Sequence, residues 1–184
     1  MSSIAVPASA ADPLDLPTLF FARIAADHRH VAEIGAAAGK RIIAIKQALP
    51  GIQAFGFDLS DAYDAEPREV AGVRFARYAP ERLQALPEGT LVVCVGTLVC
   101  LDPDELERLL RLLHAKRMPL AFFEPAPVFR ATRSFRRRAA SGHYHNYDGC
   151  LRQAGFVSRL TARWPYLGSP ELEKWTYDYA VPGT

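Results

Sequence analysis

The chain has 184 residues, a formal net charge of +2, 49% hydrophobic residues and 23% charged residues. That length supports one domain with a sizeable core, and the composition is ordinary for a globular fold. So small a charge gives no footing for nucleic acid or an anionic membrane, and no apolar run approaches the roughly 20 residues of a membrane span.

Residues 1–13, rich in Ala, Ser and Pro, read as a flexible leader, with 14–184 as a single domain. Ala8-Ser9-Ala10 echoes a signal-cleavage site, but no Lys or Arg precedes it and the first basic residue is Arg23. A cytoplasmic location is therefore expected. Three cysteines, Cys94, Cys100 and Cys150, lack C-x-x-C spacing and read as buried thiols, not as a disulfide or zinc framework.

In chain order, Leu14 to Ala26 has helical spacing, with Leu16, Leu19, Phe20 and Ile24 on one side. A strand over His30 to Ile34 precedes a helix from Lys40 to about Leu49, stopped by Pro50-Gly51. Gln53 to Phe57 is a second strand. Asp61 to Glu69 is polar, a short helix or loop. Val73 to Arg77 alternates as a third strand should, and Thr90 to Val95 is a continuous apolar run suited to a central parallel strand. Asp102-Pro103-Asp104-Glu105 opens a helix with a capping box, and Leu106, Leu109, Leu110 and Leu113 form its core stripe. Pro119 to Glu124 is a fifth strand. Asn146 to Ala154 is a short helix closed by Gly155, and Phe156 to Thr161 with Lys174 to Val181 make a closing antiparallel pair. This alternation predicts an open, mostly parallel seven-stranded α/β sheet with helices on both faces and the last strand pair antiparallel.

The segment between the first strand and its helix is the most informative. Glu33-Ile34-Gly35-Ala36-Ala37-Ala38-Gly39 places an acid and two glycines at a strand–helix turn. Glycine lets the backbone turn sharply and approach a ligand, and the helix beyond directs unpaired N–H groups at the same spot. The second strand ends in Asp58, where a carboxylate is placed to hold the hydroxyls of a ribose. Together these features point to a nucleoside cofactor. The glycines are spaced G-x-x-x-G, unlike the G-x-G-x-x-G of dinucleotide sites.

This acid-x-Gly turn, followed by an acid ending the next strand, resembles the class I S-adenosylmethionine-dependent methyltransferases, over about residues 30–181. The family pattern is acid-x-Gly-x-Gly-x-Gly, and Ala37 replaces the middle glycine; alanine there calls for a negative φ and a slightly different turn. The resemblance implies that Glu33, Gly35, Ala37 and Gly39 border the methionine half of the cofactor, and that Asp58 and the adjoining Leu59 meet the ribose. Gly96, Thr97 and Leu98 would lie beside the sulfonium. No Asn/Asp-Pro-Pro-Tyr sequence follows that strand, which argues against amine substrates of the DNA and glutamine methyltransferases. Tyr78 stands where the family often has an adenine-contacting acid, and the resemblance implies that it stacks on or borders the adenine instead.

Glu124 to Tyr147 is the expected substrate region, with Glu124, Arg133, Tyr144 and Tyr147 as binding candidates. His143 and His145 are the candidate general bases, since histidine titrates near neutrality. Each has an alternative: local hydrogen bonding for the histidines, a structural acceptor role for Glu124, a capping role for Asp58, and a solvated face for Arg130, Arg133, Arg136, Arg137 and Arg138. The expected activity is methyl transfer from S-adenosylmethionine to a small-molecule acceptor at oxygen, with no nucleic acid or membrane partner. The alternative is a methyltransferase-like binding protein that has lost transfer. A nicotinamide-dependent reductase fits poorly, for want of a Tyr-x-x-x-Lys pair.

Overall fold

The structure, a computed structural model, describes residues 16–59, 68–127, 135–136, 142–165 and 173–183. The leader, Arg133 and the neighbouring Arg130, Arg137 and Arg138 lie outside the described residues.

Five parallel strands form the centre of the sheet: β1 (His30–Ile34), β2 (Gln53–Asp58), β4 (Val73–Arg77), β5 (Leu91–Val95) and β6 (Leu120–Pro127). Their spatial order is β4-β2-β1-β5-β6. The chain builds outward from β1 in one direction, then returns to build from β1 in the other. The order therefore reverses between β1 and β5, and ligands of open α/β sheets bind outside the carboxyl ends of the strands at such a switch point.

Beyond β6 come β10 (Glu173–Pro182) and then β9 (Phe156–Pro165), both antiparallel to their neighbours. On the opposite edge, β3 (Arg68–Val70) pairs antiparallel with β4, giving eight strands instead of the seven expected. A two-residue turn, Ala71-Gly72, joins β3 to β4 with φ of 51° and 75°. Positive φ at both central residues is the type I′ geometry that suits a hairpin. Alanine is a poor sequence marker for such a turn, so the edge strand is hidden in a polar stretch. A separate pair, β7 (Phe135–Arg136) with β8 (His143–Tyr144), stands apart from the main sheet.

Helices cover both faces. On one, α4 (Pro103–Ala115) and α5 (Tyr147–Gln153) pack with α3 (Pro80–Gln84) over Ala32, Ile34, Val92, Cys94, Leu120 and Phe122. The expected capping box is present: Glu105 N–H donates to Asp102 Oδ1 at 2.8 Å, and Asp102 N–H to Glu105 Oε2 at 2.8 Å. Leu106, Leu109, Leu110 and Leu113 are buried beneath it.

The other face is covered by α1 (Leu16–Ala25) and α2 (Lys40–Ala48) over Val31, Ala54, Leu91, Val93 and Ala121. The buried side of α1 is Thr18, Phe21 and Ala25, whereas Leu16 and Leu19 are 52% and 49% exposed. The expected stripe is thus rotated, because α1 carries apolar residues on two sides and contact with the sheet selects one. Cys94 is buried but Cys100 is exposed, and no disulfide joins the three cysteines, so the buried-thiol reading fails for Cys100. Among the described residues no helix is long and apolar enough to cross a membrane.

Candidate functional site

Gly35 and Gly96, the residues just beyond β1 and β5, flank the switch point. Gly35 has φ of 78°, and a Cβ there would collide with Thr97 Oγ1. That hydroxyl lies 3.1 Å from Ile34 O and 3.2 Å from Val95 O, so it bonds the ends of β1 and β5 to one another. Gly39, at φ 77°, caps α2, and a Cβ would lie 2.5 Å from Phe75 Cζ. The turn is suspended from β2: Gly35 N–H and Ala36 N–H both donate to Phe57 O, at 2.8 and 3.0 Å.

Ala37 contradicts the expectation of a negative φ. It sits at 45°, in the left-handed region that glycine favours. Its N–H donates to Asp58 Oδ2 at 2.8 Å, so the turn keeps the glycine-type conformation and is clasped by the acid of the next strand. A left-handed non-glycine residue costs about 1 kcal/mol. Ala37→Gly is expected to raise stability by up to about 0.5 kcal/mol after the loss of unfolded-state stiffness. Urea unfolding checks this, and a destabilised variant would show that the alanine methyl packs favourably.

Asp58 is half-buried at the carboxyl end of β2, with Leu59 64% exposed beside it. Tyr78 lies nearby, its N–H donating to Asp58 O at 2.8 Å, and burial pushes its phenol above the usual range, helped by Cys94, Glu105 and Glu81. Glu33 is fully buried beneath the turn and paired with Arg41 of α2 at 2.7 Å. It holds the helix against the strand instead of facing an open crevice.

Glu124, expected to bind substrate, is also fully buried. Its Oε1 accepts from Thr97 N–H at 2.7 Å and Leu98 N–H at 2.9 Å, and Oε2 accepts from Val99 N–H at 3.2 Å. The carboxylate caps the 3-10 turn Leu98–Cys100 and sets the path of the backbone after β5. Burial pushes its pKa up to about 7 against the pull of those three donors. These three bonds are what the structural-acceptor reading of Glu124 calls for.

The histidines separate in the same way. His145 is buried, with Nε2 3.1 Å from Leu101 O, and burial lowers its pKa. A ring nitrogen held by a main-chain carbonyl in the interior fits the local hydrogen-bonding reading of His145. Tyr147 is buried against Phe122, ring centroids 5.0 Å apart, and its hydroxyl has no solvent exposure, so it supports the core instead of a substrate. His143 and Tyr144 are half-buried on β8. His143 Nδ1 has no hydrogen-bond partner among the described residues and, like the Tyr147 hydroxyl, no solvent exposure of its own.

One group of residues had no motif to announce it. Phe123 of β6 and Tyr177 of β10 lie directly opposite and stack with centroids 4.0 Å apart. Trp175 lies 4.4 Å from Phe123, and Phe20 of α1 meets Tyr177 edge-on at 5.0 Å. The alternation Trp175, Tyr177, Tyr179 places three rings on one face of β10, but only the register with β6 brings Phe123 among them. A separate cleft of about 330 Å³ lies between α4 and α5, lined by Glu107, Arg111, Asn146 and Cys150 among others, and none of the turn residues lines it.

No family model matches the chain, and no curated protein matches it. Solved structures do. Magnesium protoporphyrin IX methyltransferase from Synechocystis PCC 6803, solved with bound SAH, aligns at TM-score 0.58 and 17% identity, over 91% of this chain and 80% of that one. Human N-acetylserotonin methyltransferase, in complex with SAM, aligns at TM-score 0.59 and 15% identity over 91% of this chain. The mitomycin 7-O-methyltransferase MmcR aligns at TM-score 0.56 and 14% identity over 88%. The fold is that of the class I methyltransferases. This chain spans 51% of the human enzyme and 52% of MmcR. At such identities the likeness establishes a methyltransferase fold, and function is argued from the site.

Proposed function

We propose that the chain is an S-adenosylmethionine-dependent methyltransferase acting on a small molecule at oxygen. The observation that carries this reading is the meeting of the Gly35–Gly39 turn, Asp58 and Gly96 on one edge of the sheet, at the switch between β1 and β5. These residues fit the cofactor. Gly96 has φ of 61°, and a Cβ there would meet nothing nearer than Trp175 Cη2 at 4.0 Å, so the missing side chain leaves room beside the turn. Asp58 offers a half-exposed carboxylate to the ribose hydroxyls, and the turn brings main chain alone to the methionine portion.

When bound, S-adenosylmethionine supplies an electrophilic methyl group on a sulfonium. The chain has to align an acceptor with it and take up a proton. The Glu124-capped backbone at Thr97–Val99 forms the rigid border of the reacting region. His143, half-buried on β8, is the base for an acceptor hydroxyl, and Tyr144 adjoins it. The oxygen preference rests on that histidine and on the absence of an amine-holding sequence after β5.

Thermal unfolding with S-adenosylhomocysteine, and NAD as control, tests the reading. At a hundredfold excess over Kd the ligand is expected to stabilise by about 2.7 kcal/mol, a shift of several degrees. Asp58→Ala should abolish the shift. No shift at millimolar S-adenosylhomocysteine would sink the proposal.

A further inference from the structure

The ring cluster on β6 and β10 has a place relative to the switch point that core packing alone does not require. Gly96 N–H donates to Phe123 O at 3.0 Å, so the residue ending β5 is tied to the strand carrying the first ring. Trp175 stands two residues beyond Tyr177 toward the carboxyl ends of the parallel strands, because β10 runs antiparallel to β6. The edge of its six-membered ring approaches Gly96 to within 4.0 Å of where a Cβ would be. A large flat side chain thus overhangs a residue with none, forming a shelf beside the place where a methyl group would be presented.

The helix α1 extends this shelf. His28, just past its end, reaches Tyr179, while Phe20 reaches Tyr177. The helix therefore runs from the carboxyl edge of the sheet toward the amino edge. At 1.5 Å per residue, Leu16 lies about one turn beyond Phe20 on the crevice side. Leu16 and Leu19 are exposed there, and Phe20, Phe123 and Trp175 are half-buried. Phe123 and Glu124 are adjacent in β6 and point to opposite faces, so one strand end supplies both the ring and the cap of the Thr97–Val99 turn.

We infer, resting on the methyltransferase reading above, that the acceptor is a planar fused-ring phenol that stacks on Trp175, whose ring Phe123 backs from the other side. Rings of this kind stack best on flat partners at offset or edge geometry, and the shelf side chains Leu16, Phe20, Phe123 and Trp175 carry no charge to recognise a phosphate or carboxylate.

The test is isothermal titration of the full chain, in the presence of S-adenosylhomocysteine, with 2-naphthol and with its saturated analogue decahydro-2-naphthol. The expected result is roughly two- to tenfold tighter binding of 2-naphthol, the value of one good stacking contact. Trp175→Leu should weaken 2-naphthol about tenfold and Trp175→Phe should restore most of it, with S-adenosylhomocysteine binding unchanged within about twofold. Equal affinity for the two alcohols, or no binding of 2-naphthol at millimolar concentration, overturns the inference even if no variant folds. Loss of S-adenosylhomocysteine binding in Trp175→Leu also overturns it, by assigning Trp175 to the cofactor or the fold. If S-adenosylhomocysteine fails to bind the unaltered chain, the methyltransferase reading falls, while the preference between the two alcohols still reads the shelf.

Discussion

Glu124→Ala is expected to lower Tm by about 10 °C. The substitution leaves the N–H groups of Thr97, Leu98 and Val99 without their acceptor in a buried place. Each orphaned donor costs about 1–3 kcal/mol, partly offset by no longer burying a carboxylate, for a net loss of about 3–5 kcal/mol. In a domain this size each kcal/mol moves Tm by roughly 2–4 °C. Differential scanning calorimetry checks the value, and a loss below about 1 kcal/mol would mean that water replaces the carboxylate.

The same residue makes a prediction about pH. Its pKa is raised from 4.5 to about 7 in the folded protein, so the native state holds a proton that the unfolded chain releases. Stability from this source is complete below pH 4.5 and is lost as pH rises to about 7. His28 and His145, both held low by burial, act oppositely: their contribution is present above the ordinary histidine pKa and lost as pH falls. The comparison of interest is therefore the difference between the unaltered chain and Glu124→Gln, which cannot titrate. The unaltered chain should lose roughly 3 kcal/mol relative to Glu124→Gln between those two pH values. Parallel stability–pH curves for the two proteins would rule out a proton on Glu124.

Gly35→Ala is expected to destabilise by roughly 3 kcal/mol and to remove S-adenosylhomocysteine binding, through a left-handed φ and a steric clash that act together. The added methyl group meets the Thr97 hydroxyl, which must give up its contacts with Ile34 and Val95. Because those contacts join β1 to β5 at the switch point, the damage falls where the cofactor is proposed to sit. Thr97→Ala should relieve part of the clash, so the double variant should be more stable than the sum of the singles predicts. Strict additivity in urea unfolding would show that backbone strain alone is responsible.

Much of this molecule is set by local sequence. The Asp102-Pro103-Asp104-Glu105 cap, the leucine stripe of α4, the apolar run of β5 and the glycine spacing of the Gly35–Gly39 turn are written in local spacing and side-chain type. The order of strands follows from right-handed crossovers, and with it the crevice between Gly35 and Gly96. Tertiary structure decided what depends on a partner distant in the chain. Packing against the sheet chose Thr18, Phe21 and Ala25 as the inner side of α1 over its exposed leucines. A glutamate at a strand end reads alike whether it faces substrate or backbone. It was the approach of Thr97–Val99, 25 to 27 residues away in sequence, that buried Glu124 and gave it three donors. His145 and His143 are two residues apart and chemically identical, yet one is buried with Nε2 against Leu101 O and the other is only half-buried on β8. The rings of Phe123 and Trp175 meet only because β10 returns antiparallel beside β6, a register that no local pattern encodes.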